Sequence, residues 1–214
     1  MTEPVNIVES EFVAGVSNVA SLPPPALAEI AFAGRSNVGK SSLLNALLGR
    51  RNLVRVGRTP GTTRQVNFFR ARASGGLELM LVDLPGYGFA KRGKGERKEW
   101  GPLLETYLAG RVTLRAVVLL VDVRRGLEGE ERELIDFVRS AGAAPSRRPP
   151  EIVVVATKVD KVPSTQRKPA IQRVGASIGA RVVGFSAATG EGKDELWAKL
   201  RGLVVAPPRS TPSP

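Results

Sequence analysis

The run Gly34-Arg35-Ser36-Asn37-Val38-Gly39-Lys40-Ser41 constrains this chain more than any other feature, because of what flanks it. Ahead of it, Glu29-Ile30-Ala31-Phe32-Ala33 reads as a short buried strand, and Pro23-Pro24-Pro25 breaks any regular element before that. Behind it, Leu43, Leu44, Leu47 and Leu48 fall on one face of a helix that Gly49 and the basic pair Arg50-Arg51 close. The unit is strand, glycine loop, helix. In that setting glycines let backbone N–H groups converge on a phosphate, a lysine adds a point charge, and the helix N-terminus favours the same anion. Gly34, Arg35, Ser36, Asn37, Val38, Gly39, Lys40, Ser41 and Ser42 are therefore candidate phosphate-binding residues, with Ser41 also a candidate Mg²⁺ ligand. The plain alternative is a glycine turn opening an ordinary helix.

The rest of the chain alternates in the same way. Strands are predicted over Val66 to Arg72, over Leu77 to Leu81 with its period of two, and over the continuous apolar runs Ala116 to Val121 and Ile152 to Ala156. Helical spacing joins Trp100, Leu103, Leu104, Tyr107 and Leu108, then Leu127, Leu134, Ile135 and Val138, and finally Leu196, Trp197, Leu200 and Leu203. This pattern predicts a three-layer α/β domain, a mostly parallel central sheet with helices on both faces, whose ligands bind beyond the carboxyl ends of the strands. Residues 25–205 form the expected domain. Residues 1–24, only moderately apolar from Glu11 to Ser21, are expected to be an extension packing on it, and 206–214 a disordered proline-rich tail. Ala143 to Pro150 reads as a basic, proline-rich surface loop.

Four further motifs lie downstream, two of them directly after predicted strands. Thr157-Lys158-Val159-Asp160 fits an (N/T)KxD pattern in which a carboxylate accepts two hydrogens from the N1 and N2 edge of guanine, while the lysine lays its alkyl stem along the nucleotide. Adenine offers no matching pair of donors, and an unpaired, partly desolvated carboxylate costs about 1–3 kcal/mol. Asp83-Leu84-Pro85-Gly86 fits DxxG, with Asp83 holding Mg²⁺ through water and the Gly86 amide sensing a γ-phosphate. Gly61-Thr62-Thr63, lying between those motifs, supplies a threonine that reaches the metal only when a γ-phosphate is present; Thr63 is favoured, with Thr62 as its substitute. Phe185-Ser186-Ala187 is expected to present a backbone N–H to guanine O6.

Composition excludes other chemistries. With no cysteine and no histidine, thiol nucleophiles, disulfides, cysteine-rich zinc sites and the commonest general base are all missing. The balance of 32 Lys+Arg against 20 Asp+Glu, formally +12, favours polyanionic partners, RNA or a ribonucleoprotein first, against a generally basic solvated surface as the bland reading. No stretch approaches a membrane span and the first residues lack an apolar signal core, so a cytoplasmic protein with no membrane partner is expected.

Together with Gly86-Tyr87-Gly88-Phe89-Ala90, Val66-Asn67-Phe68-Phe69 and Val121-Asp122-Val123-Arg124, the order of these motifs resembles the EngB family of ribosome biogenesis GTP-binding proteins, a branch of the TrmE-Era-like P-loop GTPases. The resemblance runs from about Phe12 to Leu203 and departs at Thr62-Thr63-Arg64, where many members read Arg-Thr-Gln. It implies GTP and GDP as bound nucleotides, Mg²⁺ as cofactor, the large (50S) ribosomal subunit and its rRNA as partner, no DNA, and an importance for cell division and septation. Nothing requires a dimer, and a monomer is expected.

Tyr87 stands where Ras-like proteins place a water-orienting glutamine, so unaided hydrolysis is expected to be slow. Lys40, Asn37 and Thr63 are the candidate catalytic residues. Related TrmE-like proteins bind K⁺ through a P-loop asparagine, and Asn37 occupies that position; a K⁺ site and a loop-turn role both stay open. Arg35, Arg58 and Arg64 read as surface or partner contacts rather than internal fingers. The basic, glycine-rich Lys91-Arg92-Gly93-Lys94-Gly95 with Arg97-Lys98 reads as an RNA-facing segment ordered by nucleotide state, or as a solvated loop. A GTP-sensing regulator of a protein partner is the alternative function.

Overall fold

The computed structural model describes residues 4–54, 65–86, 94–141 and 149–205, with backbone alone at 94–101 and 141. In chain order its elements are β1 (Ile7–Val16), β2 (Glu29–Gly34), α1 (Lys40–Leu47), β3 (Val66–Ala73), β4 (Glu78–Asp83), α2 (Lys94–Gly110), β5 (Leu114–Asp122), α3 (Gly129–Ala141), β6 (Glu151–Thr157), α4 (Ser164–Ala176), β7 (Val183–Phe185) and α5 (Lys193–Val205). The strands form one seven-stranded sheet in the order β1-β3-β4-β2-β5-β6-β7. β4, β2, β5, β6 and β7 run parallel, while β3 is antiparallel to both β4 and β1.

Period-two alternation sorts the side chains into two layers. On one face Ile30 and Phe32 of β2 and Ala116, Val118 and Leu120 of β5 pack with Leu43, Leu44 and Leu47 of α1 and Leu196, Trp197 and Leu200 of α5. On the other, Ala31, Ala33 and Val117 meet Leu103, Tyr107 and Leu108 of α2 and Val138 of α3. Leu119, Val121, Val154 and Ala156 continue that second face under Ile135 of α3 and Ala170 and Val174 of α4. Strands covered on both sides must be apolar at every position, which explains the unbroken runs of β5 and β6. Full burial of each such Val, Leu or Ile stabilises by about 1.5–3 kcal/mol.

The predicted helix α1 closes as its sequence suggests: Gly49, at φ 65, follows the C-cap, and the Arg50 amide returns to the Asn45 carbonyl at 3.0 Å. The N-terminal segment, given no strand in the sequence analysis, instead supplies the ten-residue edge strand β1. Its cross-strand pairs explain the docking. Glu9 lies opposite Arg72 and Glu11 opposite Arg70, with Arg72 bonding Glu9 at 2.6 and 3.0 Å, and the Phe12 ring meets Phe69 edge-on at 5.6 Å. No helix among the described residues is long and apolar enough to cross a membrane.

Candidate functional site

Parallel strands point their carboxyl ends the same way, so β2, β4, β5, β6 and β7 deliver their following loops to one rim. β2 delivers the glycine loop. Asn37 (φ 64) and Gly39 (φ 102) both take left-handed backbone, and Gly39 is the N-cap of α1 without any side-chain cap, so the first-turn N–H groups stay open to an anion. Gly34 has no room for a side chain: a Cβ there would lie 2.9 Å from Val38 and 3.1 Å from Leu120.

β4 brings DxxG against that loop. Lys40, 9% exposed, makes a buried ion pair with Asp83, 3% exposed, and a Cβ on Gly86 would sit 3.1 Å from the Ser36 hydroxyl. Ser41 follows Lys40 on the first turn of α1, and the Asp83 carboxylate already faces a cation, the Lys40 ammonium. A hydroxyl and one carboxylate are hard oxygen donors of the kind Mg²⁺ uses when phosphates complete its shell, so the residues fit. Among the described residues no cluster of three or more acidic, His or Cys side chains forms a metal site of its own. Gly61, Thr62 and Thr63, together with Arg58, Arg64 and Tyr87, lie outside the described residues.

β6 brings TKxD to the back of the loop. The Thr157 hydroxyl donates to the Val38 carbonyl at 2.7 Å, and the Lys158 ammonium donates to the Asn37 carbonyl at 2.6 Å. Across a trans peptide the N–H points opposite to the C=O, so holding the Val38 carbonyl turns the Gly39 N–H toward the open side of the loop. Asp160 accepts from the Ser186 hydroxyl at 2.7 Å, and that bond is the main cause holding its carboxyl below the usual range. Ser186 Oγ also accepts from the Ala188 and Thr189 amides, while its own amide donates to the Glu191 carbonyl at 3.0 Å. The Ser186 amide is thus spent, and among the described residues the Ala187 amide is the one in this tripeptide turn with no internal acceptor. Phe185 is buried in β7 beneath them.

The residues the sequence analysis did not single out for the site lie at the end of β5. Asp122 meets Arg124 and Lys158, and a cavity of about 270 Å³ opens there between the glycine loop and the start of α3, lined by Arg35, Asn37, Asp122, Arg124, Glu128 and Lys158. Arg35 is paired with Glu128 and lies 3.6 Å from Glu130, a contact within the chain. Burial pushes the Glu131 carboxyl up, although Glu131 also accepts the Glu128 amide at 3.0 Å. In sequence, Asp122 stood out as an aspartate ending a buried strand and within the Val121-Asp122-Val123-Arg124 segment of the resemblance, with no site role attached to it.

A glycine loop leading into a helix, DxxG against it and TKxD behind it, all on the carboxyl rim of this sheet, define a P-loop GTPase. The family model described as 50S ribosome-binding GTPase matches residues 29–158. A probable GTP-binding protein EngB from Geobacter metallireducens is 44% identical over 205 residues, covering 94% of this chain and 95% of the relative. Another, from Anaeromyxobacter, is 43% identical, covering 97% and 96%. The fold matches the crystal structure of a probable GTP-binding protein engB (TM-score 0.62, 23% identity, 83% of this chain and 98% of that one). It also matches Aquifex aeolicus Era (TM-score 0.64, 23% identity), covering 87% of this chain and 62% of that one. The chain belongs to the EngB family of GTP-binding proteins.

Proposed function

We propose that this chain binds GTP and GDP with Mg²⁺ on that rim, hydrolyses GTP slowly, and acts in the cytoplasm as a nucleotide-gated factor in assembly of the large ribosomal subunit. Normal division and septation depend on it through ribosome supply. The observation that carries the nucleotide assignment is the docking of TKxD on the glycine loop. Thr157 and Lys158 each hold one loop carbonyl, while Asp160, two residues on, is kept as a carboxylate by Ser186.

Gly34 to Ser42 surround the phosphates in this reading, Asp160 reads the guanine N1 and N2 edge, and the Ala187 amide faces O6. On nucleotide binding Lys40 would exchange Asp83 for the phosphates and free that carboxylate; Ser41, Asp83 and, on the sequence reading, Thr63 would hold Mg²⁺, and the Gly86 amide would sense the γ-phosphate. The chemistry Mg²⁺ would supply there is neutralisation of phosphate charge. Lys40 and the loop amides stabilise the phosphoryl group as it leaves, and no covalent intermediate is required. Tyr87 offers the attacking water no amide, so hydrolysis is slow until a partner or K⁺ at Asn37 intervenes. Of the basic segment Lys91 to Lys98, residues 94–98 form the first turns of α2 rather than a loop and 91–93 lie outside the described residues; its charge, following DxxG in sequence, supports a contact with rRNA that depends on the nucleotide.

Equilibrium titration with guanine and adenine nucleotides, with and without Mg²⁺, tests the site. Guanine should be preferred by about 100-fold or more, because a site built for hydrogen bonds rejects ligands that lack them. Equal affinity for ATP contradicts the assignment. Single-turnover hydrolysis in K⁺ against Na⁺ buffer tests the role of Asn37: equal rates leave it a turn residue.

A further inference from the structure

The last residue of β5 carries a carboxylate that the nucleotide reading leaves without a task. Asp122 is 7% exposed, yet three hydrogen bonds from Arg124 reach it: backbone N (3.1 Å) and Nε (2.9 Å) to Oδ1, and a terminal guanidinium nitrogen (2.6 Å) to Oδ2. The Lys158 ammonium stands 3.2 Å from the same Oδ2. β5 and β6 are parallel neighbours with Asp122 opposite Thr157, so the residue after Thr157 emerges beside the carboxylate. Burial works to raise the Asp122 pKa, but the Arg124 and Lys158 bonds outweigh it and hold the group charged well below the usual carboxylate range.

Those contacts fix Lys158 at its far end. A guanidinium forked on a carboxylate sets the carboxylate plane, and the ammonium then has two of its three donors committed, to Asp122 and to the Asn37 carbonyl. Its near end is fixed too, since Lys158 takes left-handed backbone at φ 60. A stem held at both ends lies across the mouth of the loop: a Cβ on Gly39 would meet Lys158 Cε at 3.9 Å. A free lysine has many rotamers and a hydrated head, and ordering it on ligand arrival would cost affinity.

We infer that Asp122, locked by Arg124, is a positioning residue for nucleotide binding, anchoring the Lys158 ammonium so that the lysine pins Asn37 and presents its stem as a preformed apolar wall to the base. This rests on the nucleotide site proposed above. GDP release, followed by stopped-flow with a fluorescent GDP analogue, tests it in the wild type, Asp122→Ala, Asp122→Asn, Arg124→Ala and each of these combined with Lys158→Met.

Asp122→Ala is expected to speed release about tenfold, and that effect should fall below about twofold in the Lys158→Met background, the non-additivity expected of groups acting through one contact. Asp122→Asn, whose carbonyl still accepts from the ammonium, should recover part of the loss. Arg124→Ala removes a half-exposed side chain and serves if Asp122→Ala does not fold; it should speed release about threefold, again only when Lys158 is present. Release unchanged in these variants, or accelerated equally with and without Lys158, overturns the inference while leaving the site standing. A wild type that binds no GDP overturns the site itself.

Discussion

At the scale of single residues, the site is built from long-range pairs that no local pattern announces. Thr157 and Val38 lie 119 positions apart, and Ser186 and Asp160 lie 26 apart. The motifs stood out in sequence as particular residue types at fixed spacing, and in the structure Gly34 to Ser42, Asp83, Gly86, Thr157, Lys158 and Asp160 lie at or just after the carboxyl ends of β2, β4 and β6. The internal bonds that set them were not legible, and Asp122 is the clearest instance. Asp160→Ala should weaken GDP binding by about 1–3 kcal/mol, roughly 5- to 150-fold, in an equilibrium titration, with little change for ADP. An unchanged ratio between the two nucleotides would remove Asp160 from base recognition. The pH dependence of stability follows from Asp122. Its folded pKa is depressed below an unfolded value near about 3.9, so its contribution is present above that value and is lost as pH falls through the folded pKa. The stability difference between wild type and Asp122→Asn, from urea denaturation, should be flat from about pH 5 to 8 and shrink below about pH 4. A difference that grows toward acid contradicts this.

At the scale of elements, the strands β2 to β6 and the strongly periodic helices followed from the sequence, whereas β1, α4 and the three-residue β7 did not. β1 carries polar and apolar residues without clean alternation, and it bulges between Ile7 and Glu9 and between Phe12 and Ala14. Its place comes from Arg70, Arg72 and Phe69 on the partner strand, which only the fold brings near. α4 contains Pro169 and Gly175 and buries only Ala170 and Val174, so its apolar stripe is too thin to see. α2 also contains a proline, Pro102, yet its far end is held firmly. Tyr107 donates to Glu29 at 2.8 Å, and Glu29, 1% exposed, also takes Arg111 Nε at 2.7 Å and the Thr113 hydroxyl at 2.8 Å. One end of α2 therefore follows DxxG in sequence while the other is clamped in the core. Glu29→Ala leaves the Arg111 charge buried without its carboxylate, and should cost about 3–5 kcal/mol in urea denaturation. A loss under about 1 kcal/mol would contradict a clamp centred on Glu29, Arg111 also being held by the Pro23 carbonyl at 2.7 Å and lying over the Phe68 ring.

At the scale of the whole molecule, charge and topology act together. The excess of cations predicts a salt-sensitive polyanion partner, and the sheet places the nucleotide loops on one rim from which α2 departs. Fold class was readable from alternation alone, but the partner is not written in any one segment. Net charge names a class of ligand, and the proposed nucleotide gating is a property of the bound state rather than of any one segment. The most direct measurement is equilibrium binding of the purified chain to large ribosomal subunits with GDP, a non-hydrolysable GTP analogue or no nucleotide, across a salt series in K⁺ buffer. The account predicts tightest binding with the GTP analogue and an affinity that falls steadily as salt rises. Equal binding in all three states, or none in any, would contradict a nucleotide-gated assembly factor and leave a GTPase whose partner must be sought elsewhere.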